Sequence, residues 1–64
     1  MLIIIPTYNE IENIEAIIRA VFSRDERFHI LIVDDNSPDG TATKVKALQT
    51  EFPTRLFLEV RTEK

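Results

Sequence analysis

Two short apolar runs constrain this chain more than any other feature: Leu2-Ile3-Ile4-Ile5 and Ile30-Leu31-Ile32-Val33. Neither alternates with polar residues. A half-exposed strand reads apolar-polar with period two, whereas a continuous β-branched run expects cover on both faces, as in a parallel sheet flanked by helices. Parallel neighbours need a long crossover, usually a helix. Between the runs, Ile11, Ile14, Ile17, Ile18, Val21 and Phe22 fall at helical spacing and predict a helix of about twelve residues. Asn9 is placed to cap it, with Glu12 completing a capping box. Pro6 is expected to end the first strand, because proline cannot donate to a ladder.

The second run leads into Asp34-Asp35-Asn36-Ser37-Pro38-Asp39-Gly40-Thr41, a segment dense in turn formers. Ser37 or Asp39 is expected to cap the next helix, with Pro38 in its first turn if Ser37 is the cap. Ala42, Val45, Leu48, Gln49 and Phe52 mark its buried stripe, and Pro53 stops it. Leu56, Leu58 and Val60 then alternate with Phe57, Glu59 and Arg61, the pattern of a half-exposed strand at a sheet edge. With right-handed crossovers, the prediction is an α/β fold with a three-stranded parallel sheet in the order 3-2-1, half of a doubly wound domain. One hand and one direction place both helices on the same face. The other face of strands one and two is then bare, although it is apolar. On that ground residues 1–64 are expected to be part of a domain in a larger chain, or to self-associate through that face.

At 64 residues the chain makes at most one small domain. With 44% hydrophobic and 30% charged residues it is globular rather than disordered. A net charge of −3 without a Lys/Arg cluster gives no support for nucleic-acid binding. The absence of cysteine removes disulfides and thiolate metal sites. The opening apolar run is too short for a signal-peptide core or a membrane span, and the expected location is cytoplasmic.

In open α/β sheets the ligand crevice lies beyond the carboxyl ends of the strands. There Pro6-Thr7-Tyr8-Asn9-Glu10 meets Asp34-Asp35. Tyr8 offers an aromatic face for a base or ribose, and Glu10 can accept from ribose hydroxyls. Asp34 can accept from the ring N–H of uracil or guanine. The alternative is that Asn9, Asp34 and Asp35 only cap and close loops. The acidic pair could instead hold Mg²⁺, and this stretch also resembles the opening of phosphorelay receiver domains. Those carry the pair after their first strand and a phosphoacceptor Asp after a later one, and neither condition is met. Asp39-Gly40-Thr41 could receive a phosphate at a helix start, or only initiate the helix. Arg61 and Lys64 could reach a diphosphate from the end of the third strand, or could be ordinary exposed basic residues of an edge.

Ile4-Ile5-Pro6-Thr7-Tyr8-Asn9-Glu10-Ile11-Glu12-Asn13-Ile14, followed by Val33-Asp34-Asp35-Asn36-Ser37-Pro38-Asp39-Gly40-Thr41, closely resembles the start of family 2 inverting glycosyltransferases with the Rossmann-like GT-A fold. The version seen here is most similar to the polyprenol (dolichol) phosphate mannosyltransferases. The resemblance implies that Pro6, Tyr8 and Glu10 contact the nucleoside of a GDP- or UDP-linked sugar. It implies that Asp34 bonds the base with Val33 lining the pocket, and that Arg61 and Lys64 match an Arg-x-x-Lys of the family. The family's Asp-x-Asp motif, through which Mg²⁺ or Mn²⁺ bridges the donor diphosphate, lies downstream of these residues, so no metal ligand and no catalytic group is assigned here. The implied reaction is in-line displacement at the anomeric carbon by a polyprenyl phosphate oxygen, at the cytoplasmic face of a membrane in the whole enzyme, with the metal stabilising the leaving group. The 64 residues by themselves are expected to be inactive. The rival expectations are a Mg²⁺-binding receiver-like module or a non-catalytic nucleotide-binding or assembly domain.

Overall fold

The computed structural model describes residues 1–62. Five elements alternate: β1 (Leu2–Thr7), α1 (Ile14–Arg24), β2 (His29–Asp34), α2 (Thr41–Gln49) and β3 (Leu56–Val60). The strands form one parallel sheet with β2 in the centre, so the predicted order holds. Ile5 pairs with Ile32, and Ile32 with Leu58.

The core lies on one face of this sheet. Ile30 and Ile32 of β2 and Leu56 of β3 pack with Ile14, Ile18 and Phe22 of α1 and Val45 and Leu48 of α2. Ile5, Val21, Phe28, Phe52 and Leu58 surround them. Burying a side chain of this size contributes about 1.5–3 kcal/mol, so this layer supplies most of the driving force for folding. Below it, the Arg55 guanidinium sits 4.2 Å over the Phe22 ring and donates to the Phe28 and Asp25 carbonyls, closing the α1–β2 loop. The opposite face is open, as the sequence predicts. Leu2, Ile4 and Phe57 are 55%, 60% and 44% exposed there, and Leu31 and Val33 are half-buried. Among the described residues no helix is long and apolar enough to cross a membrane.

Three local expectations are corrected. β1 does not stop at Pro6 but runs on to Thr7. Backbone groups alternate sides along a strand, and the Thr7 carbonyl accepts from the Asp35 N–H at 3.0 Å, so the Pro6 nitrogen faces the free edge, where a missing donor costs no ladder bond. Asn9 does not cap α1: the helix begins at Ile14 after Asn13, while Asn9 takes a left-handed φ of 55°. α2 begins at Thr41 after Gly40, which has φ 90°, and ends at Gln49, ahead of Pro53. Ser37 and Asp39 precede that start: neither is the cap, Ser37 bonds the neighbouring loop, and Asp39 accepts the first N–H of the helix, from Thr41.

Candidate functional site

β1 and β2 end side by side, with Thr7 paired to Asp34. β3 is drawn level with them, because the Arg61 N–H donates to the Asp34 carbonyl at 2.7 Å. Alternation then decides which side chains face the ligand. Asp34 shares its parity with Ile30 and Ile32 and enters the helix-covered face, where it is 0% exposed. Its Oδ1 accepts the Thr7 hydroxyl at 2.8 Å and the Ser37 hydroxyl at 2.6 Å, and Oδ2 accepts the Ser37 N–H at 2.8 Å. Burial pushes the Asp34 carboxyl up. The bonds from Ser37 and Thr7 outweigh this and hold it below its ordinary value. Asp34 is therefore a buried carboxylate that ties β1 to the β2–α2 loop, the loop-closing alternative, and its oxygens do not face the crevice.

Asp35 falls on the other parity, with Leu31 and Val33, and is exposed. It lines a groove of about 290 Å³ with Pro6, Thr7, Tyr8, Val33 and Arg61. A further hollow of about 330 Å³, bounded by Glu59, Val60, Arg61 and Thr62, adjoins it at Arg61. Of the residues singled out from sequence, Pro6, Tyr8, Val33 and Arg61 converge here. Tyr8 is 55% exposed, so its ring is free to stack. Glu10 is half-buried and is not among the lining residues, and Lys64 lies outside the described residues. The acceptor missed in sequence is Asp35. The sequence carried no signal for it: the alternation of β3 assigns odd positions of β2 to the open face only through the register that the structure shows.

The two loops flanking the groove are bonded to each other. The Asn9 N–H donates to Ser37 Oγ at 2.9 Å, the Glu10 N–H to Thr41 Oγ1 at 3.0 Å, and the Ile11 N–H to Asp39 Oδ2 at 3.1 Å. Asp39 Oδ1 accepts both the N–H and the hydroxyl of Thr41. Burial raises the Asp39 carboxyl, and the bonds from Thr41 and Ile11 overcome it, leaving it below its ordinary value. The Thr41 N–H is thus taken by Asp39, as helix initiation requires.

An aromatic face, an apolar floor of Pro6 and Val33, one open carboxylate and one guanidinium suit a base joined to a phosphate. They do not suit a divalent ion. Asp34 and Asp35 lie on opposite faces of the sheet, and among the described residues no three His, Cys, Asp or Glu side chains cluster to hold a metal. That geometry does not favour the Mg²⁺-binding receiver reading.

Comparison with known proteins gives the family of the chain. The chain is 46% identical over 63 residues to the polyprenol monophosphomannose synthase of Mycolicibacterium smegmatis, a match covering 98% of this chain and 24% of that protein. It is 39% identical over 61 residues to the dolichol-phosphate mannosyltransferase of Pyrococcus furiosus, covering 86% of this chain and 16% of the relative. The mannosyltransferase PcManGT from Pyrobaculum calidifontis, solved in complex with GDP-Man and Mn²⁺, superposes with a TM-score of 0.85 at 31% identity, over 98% of this chain and 19% of that one. The chain thus spans about a quarter or less of the length of these proteins. The description of glycosyl transferase family 2 matches residues 2–64, essentially the whole chain, and the chain belongs to that family.

Proposed function

We propose that this chain forms the donor-nucleotide side of an inverting mannosyltransferase that uses GDP-mannose and a polyprenyl phosphate acceptor. The observation that carries the reading is the groove at the carboxyl ends of β1 and β2, in a fold that matches a GDP-Man-bound mannosyltransferase. Tyr8 stacks on the base or ribose, Pro6 and Val33 form the floor, and the Arg61 guanidinium meets the diphosphate. Asp35, rather than Asp34, accepts from the ring N–H of guanine. Glu10 is assigned to the ribose hydroxyls on the family resemblance alone.

The chemistry is displacement of GDP from the anomeric carbon by a phosphate oxygen, with inversion. That nucleophile is already anionic and needs no base from this chain. The acceptor is a membrane lipid, which puts the reaction at a membrane surface. Among the described residues no three His, Cys, Asp or Glu side chains cluster to hold an ion such as the relative's Mn²⁺. The open apolar face supports self-association of the 64-residue chain.

The test is an amide-resolved titration of the isotopically labelled chain with GDP, with UDP as comparator. GDP is expected to perturb Tyr8, Val33, Asp35 and Arg61, with weak affinity because the groove is open on one side. Perturbation of none of these amides by either nucleotide would refute the reading.

A further inference from the structure

The bonds between the two loops run in one direction. Three consecutive backbone N–H groups of the first loop, from Asn9, Glu10 and Ile11, donate in turn to Ser37 of the second loop, Thr41 at the start of α2 and Asp39 of the second loop. Thr41 is the pivot: its hydroxyl accepts from Glu10 and donates to Asp39, while the other oxygen of Asp39 holds Ile11. Thr41 is 0% exposed, and neither Thr41 nor Asp39 lines the groove. Tyr8 does line it and directly precedes the three bonded amides. The backbone between them passes through Asn9 at φ 55°, a conformation that non-glycine residues seldom adopt and that persists where surrounding contacts impose it.

We propose that Thr41 and Asp39 are positioning residues for the nucleotide: they hold residues 10 and 11 from behind, alongside the Ser37 bond to Asn9, and so set the Tyr8 ring before the ligand arrives. The inference rests on the groove being a nucleotide site. A loop fixed in its bound conformation loses less entropy on binding, so releasing it weakens affinity without removing any contact to the ligand. The effect must therefore pass through Tyr8. Two residues acting through one another give non-additive penalties, whereas a general loss of order adds to whatever else is removed.

The experiment measures GDP affinity in the full chain for wild type, Thr41→Val, Tyr8→Ala and the double variant, with Thr41→Ser as the conservative control. Thr41→Val keeps the shape and removes the hydroxyl. It is expected to weaken GDP roughly fivefold, the equivalent of one hydrogen bond, with Thr41→Ser restoring it, and to cost nothing further once Tyr8 is alanine. Should Thr41→Val fail to fold, Asp39→Asn takes its place in the cycle, since its amide cannot accept from Ile11 while its oxygen still serves Thr41. Additive penalties, or a Thr41→Val chain that binds like wild type, would overturn the positioning role and leave the nucleotide site standing. A wild-type chain that does not bind GDP would overturn the proposed function and this inference with it.

Discussion

Replacing Asp34 by alanine strips an acceptor from three donors at once: the Thr7 hydroxyl, the Ser37 hydroxyl and the Ser37 N–H. Thr7 is 5% exposed, so its hydroxyl has no water to turn to. Ser37 is half-buried, and its donors partly rehydrate. An orphaned buried donor costs about 1–3 kcal/mol and a rehydrated one less than half of that; after relief of the buried charge, the expected loss is about 2–4 kcal/mol. A domain of this size has a total stability of about 3–10 kcal/mol, and each kcal/mol moves its melting temperature by about 4–8 °C. Asp34→Ala should therefore melt at least about 8 °C lower or be largely unfolded. Asp34→Asn should lose less, because its oxygen can serve Ser37 while the two hydroxyls rotate to accept from the new amide. The folded Asp34 carboxyl titrates below its ordinary value of 3.8. The advantage of wild type over Asp34→Asn is then fully present above that value and lost as pH falls through the folded pKa. Urea unfolding of the three proteins, followed by circular dichroism at pH 7 and again on acidification, reads both effects. Alanine as stable as wild type, or a gap to asparagine that widens in acid, would show that Asp34 is not the tie between β1 and the β2–α2 loop.

Asp35→Ala should leave the melt unchanged and weaken GDP at least tenfold, a charged hydrogen bond's worth, in the same titration; unchanged affinity would remove Asp35 from the base site. Gly40→Ala places a Cβ 3.5 Å from Ile11 Cδ1, an ordinary contact, so its cost comes from the left-handed backbone and should be about 1–2 kcal/mol by thermal melting. Ile18→Ala opens a cavity in the covered core and should lose about 2–5 kcal/mol. Ile4→Ser, on the open face at 60% exposure, should change stability little, while lowering both apolar-dye binding and concentration-dependent light scattering.

Much of the architecture was legible because it rests on patterns spanning many residues. The unbroken apolarity of residues 2–5 and 30–33 required a parallel sheet, and the alternation at Leu56, Leu58 and Val60 put β3 at an edge. The count of two helices left one face bare, and Ile4 and Phe57 are exposed on it. Local punctuation was less informative. Pro6 reads as a strand stop until the free edge of β1 gives its nitrogen a harmless direction. Asn9 and Glu12 read as a capping box, yet the Asn9 N–H that Glu12 would satisfy locally is taken by Ser37, 28 residues away.

The adjacent carboxylates separate most sharply what each level decides. The sequence by itself determined that two acids stand at the carboxyl end of the central strand, beside Tyr8 and within a glycosyltransferase pattern. It could not say which acid meets a ligand, because a run apolar on both faces carries no alternation to mark its inner side. Only the tertiary structure decided that, by laying both helices over the face shared by Ile30, Ile32 and Asp34. Burial there leaves Asp34 to the hydroxyls and amide that satisfy its charge, and a rise of one residue turns Asp35 toward the open groove.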